Sequence, residues 1–429
     1  MKVAVVGLWH LGCVIAACLG KAAHEVVGID ENRSVIADLV LGKPPIAEPG
    51  LEELCKASVQ AGLLRFSSDF ASAADADLVW VAYDTPVDEN DRADVDFIKE
   101  KMQLLLPHLK PDTLVMISSQ VPVGFTRELM QFANEKLADK NLLFAYSPEN
   151  LRLGKAISVF TNPDRVVVGI SDERARLKVI DLFSKFTEKI VWMSIESAEM
   201  TKHALNAFFA LSVSFINEVA SVCEAVGADA KEVEQGLKTE ERIGSKAYLG
   251  PGAAFAGGTL ARDIEFLNQL SIAHNLKNPI LGAVRPSNES HKKWPARRLS
   301  QKLITVKGQV IAVLGLTYKP GTDTLRRSSS IELCEWLVEQ GAIVQAHDPA
   351  IKELPEELKG KINLKATVRE ALDGARAVVV ATEWPEFKEI SAEQLLSLVQ
   401  DPIVLDANAF LKNNFRDEKK INYISVGQP

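Results

Sequence analysis

Near the start of the chain, Gly7-Leu8-Trp9-His10-Leu11-Gly12 follows an apolar β-branched run and opens an apolar helical segment, and Asp30 closes the next such run. Glycines in this context set a helix N-terminus against a pyrophosphate, while a carboxylate at the second strand end accepts from the adenine ribose. Gly7 then makes the tight turn and Gly12 allows close packing, with Trp9, His10 and Leu11 completing a cofactor turn. Trp9 replaces the middle glycine of that fingerprint, so its side chain must point away or the cofactor must shift. Asp30 favours NAD over NADP, because a 2′-phosphate would meet its negative charge. Farther on, Lys202 and Asn206 lie four apart in a helical run, where they share a face and can address one substrate oxygen.

These residues need a scaffold. At 429 residues, 47% hydrophobic, the chain can build two or three ordinary cores. Lys2 to Val6, Glu25 to Asp30, Leu78 to Ala82, Thr113 to Ser118, Leu143 to Ser147 and Arg165 to Val168 alternate with helix-length segments, the rhythm of a doubly wound parallel sheet. Ser197 to Val226 reads as one long helix, with Met200, Ala204, Phe208, Leu211, Phe215 and Val219 at helical spacing. A second α/β rhythm follows at Val310 to Leu314, Ser328 to Gln340, Ile343 to Ala346, Ala377 to Ala381 and Ile403 to Leu405. Arg285 to Arg298, polar, basic and carrying two prolines, reads as a boundary. The expected fold is α/β, two Rossmann-like doubly wound domains joined by a long central helix. The expected divisions are 1–196 for NAD, 197–297 for the central helical, dimerisation and catalytic-loop region, and 298–429 for a nucleotide sugar.

No apolar run reads as a membrane span and the N-terminus does not read as a signal peptide, so a cytoplasmic protein is expected. The five cysteines lack metal-ligand spacing and read as buried thiols, with no metal site. A net charge of −8 gives no general case for a nucleic-acid partner.

Motifs along nearly the whole chain resemble the UDP-glucose/GDP-mannose dehydrogenase family of nucleotide-sugar 6-dehydrogenases. Pro45 to Leu51 resembles its P-I-x-E-P-G-L loop, Tyr83-Asp84-Thr85-Pro86 its V-x-T-P turn, and Ser119 to Gly124 its S-T-V-P-x-G, with Gln120 in place of threonine. Tyr146 to Arg152 is similar to N/S-P-E-F-L, and Asn162 to Arg165 to N-P-D/S-R. The resemblance implies that Glu149 handles a hydrolytic water, with Leu151 and Arg152 beside the substrate. It implies that Lys202 stabilises the C6 oxygen, Asn206 assists, and Asp263 cooperates with the lysine through water. It also places Thr85, Pro86, Gln120 and Arg326 on the cofactor side and Arg242, Phe255, Gly257 and Lys319 on the substrate side. The helix between the domains is expected to support a homodimer.

The departures fall mainly around one loop. Gly250 to Asp263 resembles a loop ending G-F-G-G-S-C-x-P-K-D, whose cysteine captures a C6 aldehyde so that a second hydride can leave before water releases the acid. Thr259 stands at the cysteine and Arg262 at the lysine, while Leu153 and Asn408 replace a second glutamate and a substrate arginine. A neutral hydroxyl without an adjacent base is a far weaker nucleophile than a thiol. The leading expectation is an NAD-dependent dehydrogenase of a UDP- or other NDP-hexose that reaches the carboxylate only by a slower route without the thiol. One alternative stops at the 6-aldehyde or runs as its reductase; another is a catalytically silent nucleotide-sugar-binding or regulatory protein.

Overall fold

The computed structural model describes residues 1–86, 93–149, 151–256 and 258–428. It divides into two compact units, Met1–Leu205 and Asn206–Pro429, and the division falls inside the helix Ile195–Val226.

The first unit is built on β1 (Lys2–Val6), β2 (Glu25–Ile29), β3 (Leu64–Ser67), β4 (Leu78–Val81), β5 (Leu114–Ile117), β6 (Leu143–Tyr146), β7 (Val166–Ile170) and β8 (Ile190–Met193). Their order in the sheet is β3-β2-β1-β4-β5-β6-β7-β8. Every residue of β4, β5 and β6 is buried, as strands covered by helices on both faces require. Alternation divides them between two cores: Val3, Val5, Leu78, Trp80 and Met116 pack on one face with the helix His10–Lys21, while Ala4, Val6, Val79, Val81 and Ile117 pack on the other. The order reverses between β1 and β4, which opens a ligand crevice beyond their C-terminal ends.

The second unit has β9 (Val310–Leu314), β10 (Ile343–His347), β11 (Ile362–Leu364), β12 (Ala377–Val380), β13 (Ile403–Asp406) and β14 (Asn422–Ile424), all parallel, in the order β11-β10-β9-β12-β13-β14. This repeats the first six places of the other sheet, so the internal duplication read from the sequence is real at the level of topology.

Several expectations need correction. The first sheet is not wholly parallel, because β6 and β7 pair antiparallel. The strands β3, β8, β11 and β14 escaped the reading; all are short, and β8 has no fully buried position to give it an apolar signature. Arg285 to Arg298, read as a boundary, is helical and forms parts of two helices, Pro279–Lys292 and Trp294–Lys302, with Pro286 inside the first and Pro295 in the opening turn of the second. The prolines suggested a break, yet Trp294 is 1% exposed and donates Nε1–H to Glu224 at 2.8 Å, anchoring the segment in the core. Finally, Ile195–Val226 contains a window of mean hydropathy 1.4, long and apolar enough by composition to cross a membrane. Its buried Glu199, His203, Asn206 and Asn217 are each bonded within the protein, as suits the core helix of a folded domain.

Candidate functional site

The first crevice has the shape that its sequence requires. Gly7 adopts φ 89°, and a Cβ there would stand 2.7 Å from the Tyr83 backbone nitrogen. At Gly12 a Cβ would fall 1.9 Å from the Gly7 carbonyl oxygen, so both glycines are sterically obligatory. Trp9 occupies the N-cap of the helix His10–Lys21 without a side-chain cap and is 46% exposed, leaving the first-turn amides open to an anion. Asp30 accepts Leu8 N–H at 2.8 Å through one oxygen and Asn32 N–H at 3.0 Å through the other, which leaves lone pairs for further donors. Gly7, Leu8, Trp9, Asp30, Tyr83, Asp84 and Phe97 line a hollow of about 220 Å³. A dinucleotide fits this donor and acceptor set: uncapped helix amides for the pyrophosphate and a strand-end carboxylate for a ribose diol.

Farther along the sheet edge, Thr85 is 2% exposed and donates Oγ1–H to the Gln120 carbonyl at 2.7 Å, tying together the turns after β4 and β5. Pro86 lies exposed beside it. The Ile195–Val226 helix meets these turns through buried polar groups. Glu199 accepts N–H groups of Gly124 and Thr126 at 2.6 and 3.0 Å, and His203 bonds the Val121 carbonyl at 2.9 Å. Burial pushes the Glu199 carboxyl up while those amide bonds oppose it. One turn away, Lys202 Nζ donates to the Glu149 carbonyl oxygen, bringing two of the expected catalytic residues together. Leu151 is partly buried against the core, and Arg152 is exposed.

Within the second unit, Asn206 Nδ2 donates to Asp263 Oδ2 at 2.5 Å. Asp263 is wholly buried, an acceptor held by a neutral donor and oriented from the helix Gly258–Ala273. Thr259 is exposed in the first turn of that helix, one turn before Asp263 on the same face. The loop before it is pinned from three elements. Asn217 Oδ1 accepts Gly252 N–H at 3.0 Å, His291 Nε2 donates to the Gly252 carbonyl at 2.8 Å, and Asn408 Oδ1 accepts Ala253 N–H at 2.7 Å. Asn288 clasps both backbone groups of Phe255, at 3.0 and 2.9 Å.

A cavity of about 330 Å³ opens beside this loop, walled by Ala253, Lys319, Ser329, Thr382, Glu383 and Asn408 among others. Lys319 Nζ also lies 5.3 Å from the Tyr318 ring centroid. Burial raises the Glu383 carboxyl, with the Asn408 amide working against it. Ser328 caps the helix Ser329–Glu339, accepting Ser330 N–H at 3.2 Å. Arg326 is exposed, and Arg242 is exposed in an ion pair with Glu240 at 2.8 Å, outside the cavity wall.

The structure thus joins Lys202 to Glu149 and Asn206 to Asp263, and gathers Gly7, Trp9 and Asp30 around one hollow. Gly257 and Asn150 lie outside the described residues. Sequence reasoning missed Glu48, Asn217, Asn288 and His291, which hold loops rather than carry chemistry. Only Glu48 left a signal, as the charged residue inside a proline- and glycine-bounded turn. All five cysteines are buried. Burial raises the thiols of Cys18 and Cys334 to about 12 and of Cys55 to about 11, so none of these is poised as a nucleophile.

Comparison with known proteins agrees in every part of the chain. Residues 1–187 match the NAD binding domain of the UDP-glucose/GDP-mannose dehydrogenase family, 196–290 its central domain and 312–413 its UDP binding domain. The chain is 32% identical over 433 residues to UDP-glucose 6-dehydrogenase YwqF of Bacillus subtilis, covering 100% of this chain and 98% of that one. It is 32% identical over 441 residues to the UDP-glucose 6-dehydrogenase of Rhizobium meliloti, covering 100% of both. Among solved structures, a UDP-glucose dehydrogenase of Pyrobaculum islandicum superposes with a TM-score of 0.87 at 30% identity, over 100% of this chain and 98% of that one.

Proposed function

The chain belongs to the UDP-glucose/GDP-mannose dehydrogenase family, and from that premise we propose that it oxidises C6 of a UDP-hexose rapidly to the aldehyde and only slowly to the acid. The coarser activity is that of its family: an NAD-dependent oxidoreductase acting on the CH–OH of a nucleotide sugar. Bound at the first crevice, NAD supplies the hydride acceptor.

This chain's residues do the rest of the first step. The Lys202 ammonium, steadied against the Glu149 carbonyl, holds the oxygen that becomes an alkoxide as the C6 hydride leaves. The Asp263 carboxylate, oriented by Asn206, takes the hydroxyl proton through water. For the second step the aldehyde must gain an oxygen nucleophile. The Thr259 hydroxyl is too basic when ionised and too weak when neutral to serve as a thiolate does. Water added to the aldehyde, with Glu149 taking its proton, gives a hydrate from which a second hydride can leave. That is the slower route.

The carrying observation is the contrast inside one helix: Asp263 remains buried and bonded to Asn206, while Thr259, one turn earlier, offers only an exposed hydroxyl. The reading extends to a cytoplasmic homodimer. Phe208, Phe215 and Val222 recur every seventh residue along the central helix and are 60, 50 and 61% exposed, an apolar stripe suited to a second copy. Five buried free thiols suit a reducing compartment.

The test is to incubate the purified chain with NAD and UDP-glucose, then other UDP-hexoses, counting NADH per sugar and identifying the product by mass. One NADH and an aldehyde forming well ahead of the acid supports the proposal. Rapid release of two NADH, unaffected by Thr259→Ala, overturns it, and ligand binding without turnover favours a silent binding protein.

A further inference from the structure

The cofactor turn and the loop that follows β6 are joined by one carboxylate. Glu48 has a side chain only 1% exposed, and it accepts from three donors: His10 Nε2–H at 2.9 Å, Gly154 N–H at 2.7 Å and Ala156 N–H at 2.9 Å. Burial works to raise its pKa, but the bonds from Gly154, His10 and Ala156 together hold the carboxyl below the usual value, so it stays charged. A buried charge is tolerated only while its donors remain in place. Moving either partner therefore disturbs the carboxylate that the other partner uses.

Each partner belongs to a different ligand's surroundings. His10 is the first residue of the helix whose uncapped N-terminus faces the hollow at Gly7 and Asp30, and its side chain is 17% exposed. Gly154 and Ala156 close the segment that begins at Glu149, and Gly154 presents its amide from φ 88°, a conformation that a side chain would strain. The other end of the same segment is held by Lys202, through the Glu149 carbonyl.

We propose that Glu48 is a positioning residue that couples the cofactor turn to the loop 151–156, so that filling either site raises the affinity of the other. This rests on the reading of that loop as the sugar-contacting one. A helix N-terminus that settles onto a pyrophosphate carries His10 with it, and Glu48 passes the adjustment to Gly154 and Ala156. By linkage the effect runs equally in reverse.

Fluorescence titration of NADH, which cannot accept a hydride, with and without saturating UDP-glucose measures the coupling without turnover. In the unmodified protein UDP-glucose should tighten NADH about fivefold or more. In Glu48→Gln, which cannot satisfy all three donors, and in His10→Phe, which breaks only the cofactor arm, the ratio should fall to about one. A Glu48 that merely supports the fold would weaken both affinities and leave their ratio unchanged. Should Glu48→Gln melt below the assay temperature, His10→Phe decides, because the loop bonds to Glu48 remain. Coupling that persists in His10→Phe, or is absent from the unmodified protein, overturns the proposal. A separate assay of NADH formation from NAD and UDP-glucose distinguishes the two readings: coupled binding without turnover defeats the reaction assigned above and leaves Glu48 its role, whereas turnover with uncoupled binding does the opposite.

Discussion

The indole Nε1–H of Trp384 donates to Asp348 Oδ2 at 3.1 Å, and the same oxygen accepts Leu316 N–H, Thr317 N–H and Thr317 Oγ1–H at 2.7, 3.0 and 3.0 Å. Ala350 N–H takes the other oxygen at 2.9 Å. Asp348 follows β10 as Asp30 follows β2, and the neighbouring glycines match as well: a Cβ on Gly7 or on Gly315 would stand 2.7 Å from the backbone nitrogen of Tyr83 or Thr382. One ancestral device has thus been spent in two ways. Asp30 takes two backbone donors and keeps acceptor capacity for a ribose, whereas Asp348 takes five donors, four of them on one oxygen, and ties together the segments that follow β9, β10 and β12.

Substitution should separate the two aspartates. Asp348→Ala strands five donors, all of them on buried or half-buried residues, and should cost about 3 kcal/mol or more of stability. Asp30→Ala should cost only about 1 kcal/mol, yet weaken NAD at least tenfold by removing the ribose acceptor. Thermal melts and calorimetric NAD titration of the two variants check this, and equal melting losses would show that the two carboxylates do the same work.

Thr259→Cys should increase acid formation. The residue is exposed at the start of its helix, so a thiol there meets no packing obstacle and gains from the positive end of the helix dipole. The amount of NADH per sugar should rise toward two, with the first turnover little changed. An unchanged ratio would locate the block elsewhere, with Gln120 and Arg262 as the next positions to restore.

Lys202→Ala should suppress even aldehyde formation, by about 10² to 10³ in kcat, because the developing alkoxide loses its positive partner. The Glu149 carbonyl would also lose its tether. Single-turnover NADH formation is the measurement. A loss confined to KM would reassign Lys202 to ground-state binding.

Replacing Phe208 and Phe215 together by glutamate should leave a monomer of 46.9 kDa where the unmodified chain scatters light as twice that mass. The two rings are exposed, so the change removes no core packing. A monomeric parent protein would remove the dimer from the reading.

The sequence was legible wherever a local rule had one structural answer. Gly7 and Gly12 could be read because a Cβ at either is impossible, and β4 and β5 because fully apolar runs between turns have few other uses. It was opaque where the decisive partner lies far along the chain. Glu48 meets Gly154 at a separation of 106 residues, and Asn408 meets Ala253 at 155. No local pattern encodes such pairs. The two prolines near residue 290 hid the helices there for a related reason, since proline statistics describe the local backbone and Trp294 is held by a tertiary anchor in Glu224.

That loop-holding layer should also leave a pH signature, through His291. The ring is 7% exposed, bonds the Gly252 carbonyl through Nε2, and has its pKa lowered by burial, with the nearby Arg297 charge acting in the same direction and the Gly252 bond and Glu224 opposing. Its folded pKa therefore lies below that of the unfolded chain, which has the ordinary histidine value of about 6.5. Above that pH the group is neutral in both states and has no effect. As pH falls below it, the unfolded chain takes up a proton that the folded protein refuses, and stability drops until the folded pKa is reached, by at most about 1.4 kcal/mol per pH unit for one group. His291→Gln, which keeps a donor but does not titrate, should be less stable at pH 7.5 yet lose less on going to pH 5.5. Melting temperatures of both proteins across that interval provide the test, with His24, also buried and lowered, changed to Leu as a second probe in the other unit. Parallel pH profiles for parent and His291→Gln would mean that His291 carries its proton in the folded protein, and the Gly252 carbonyl would then be held by a cation.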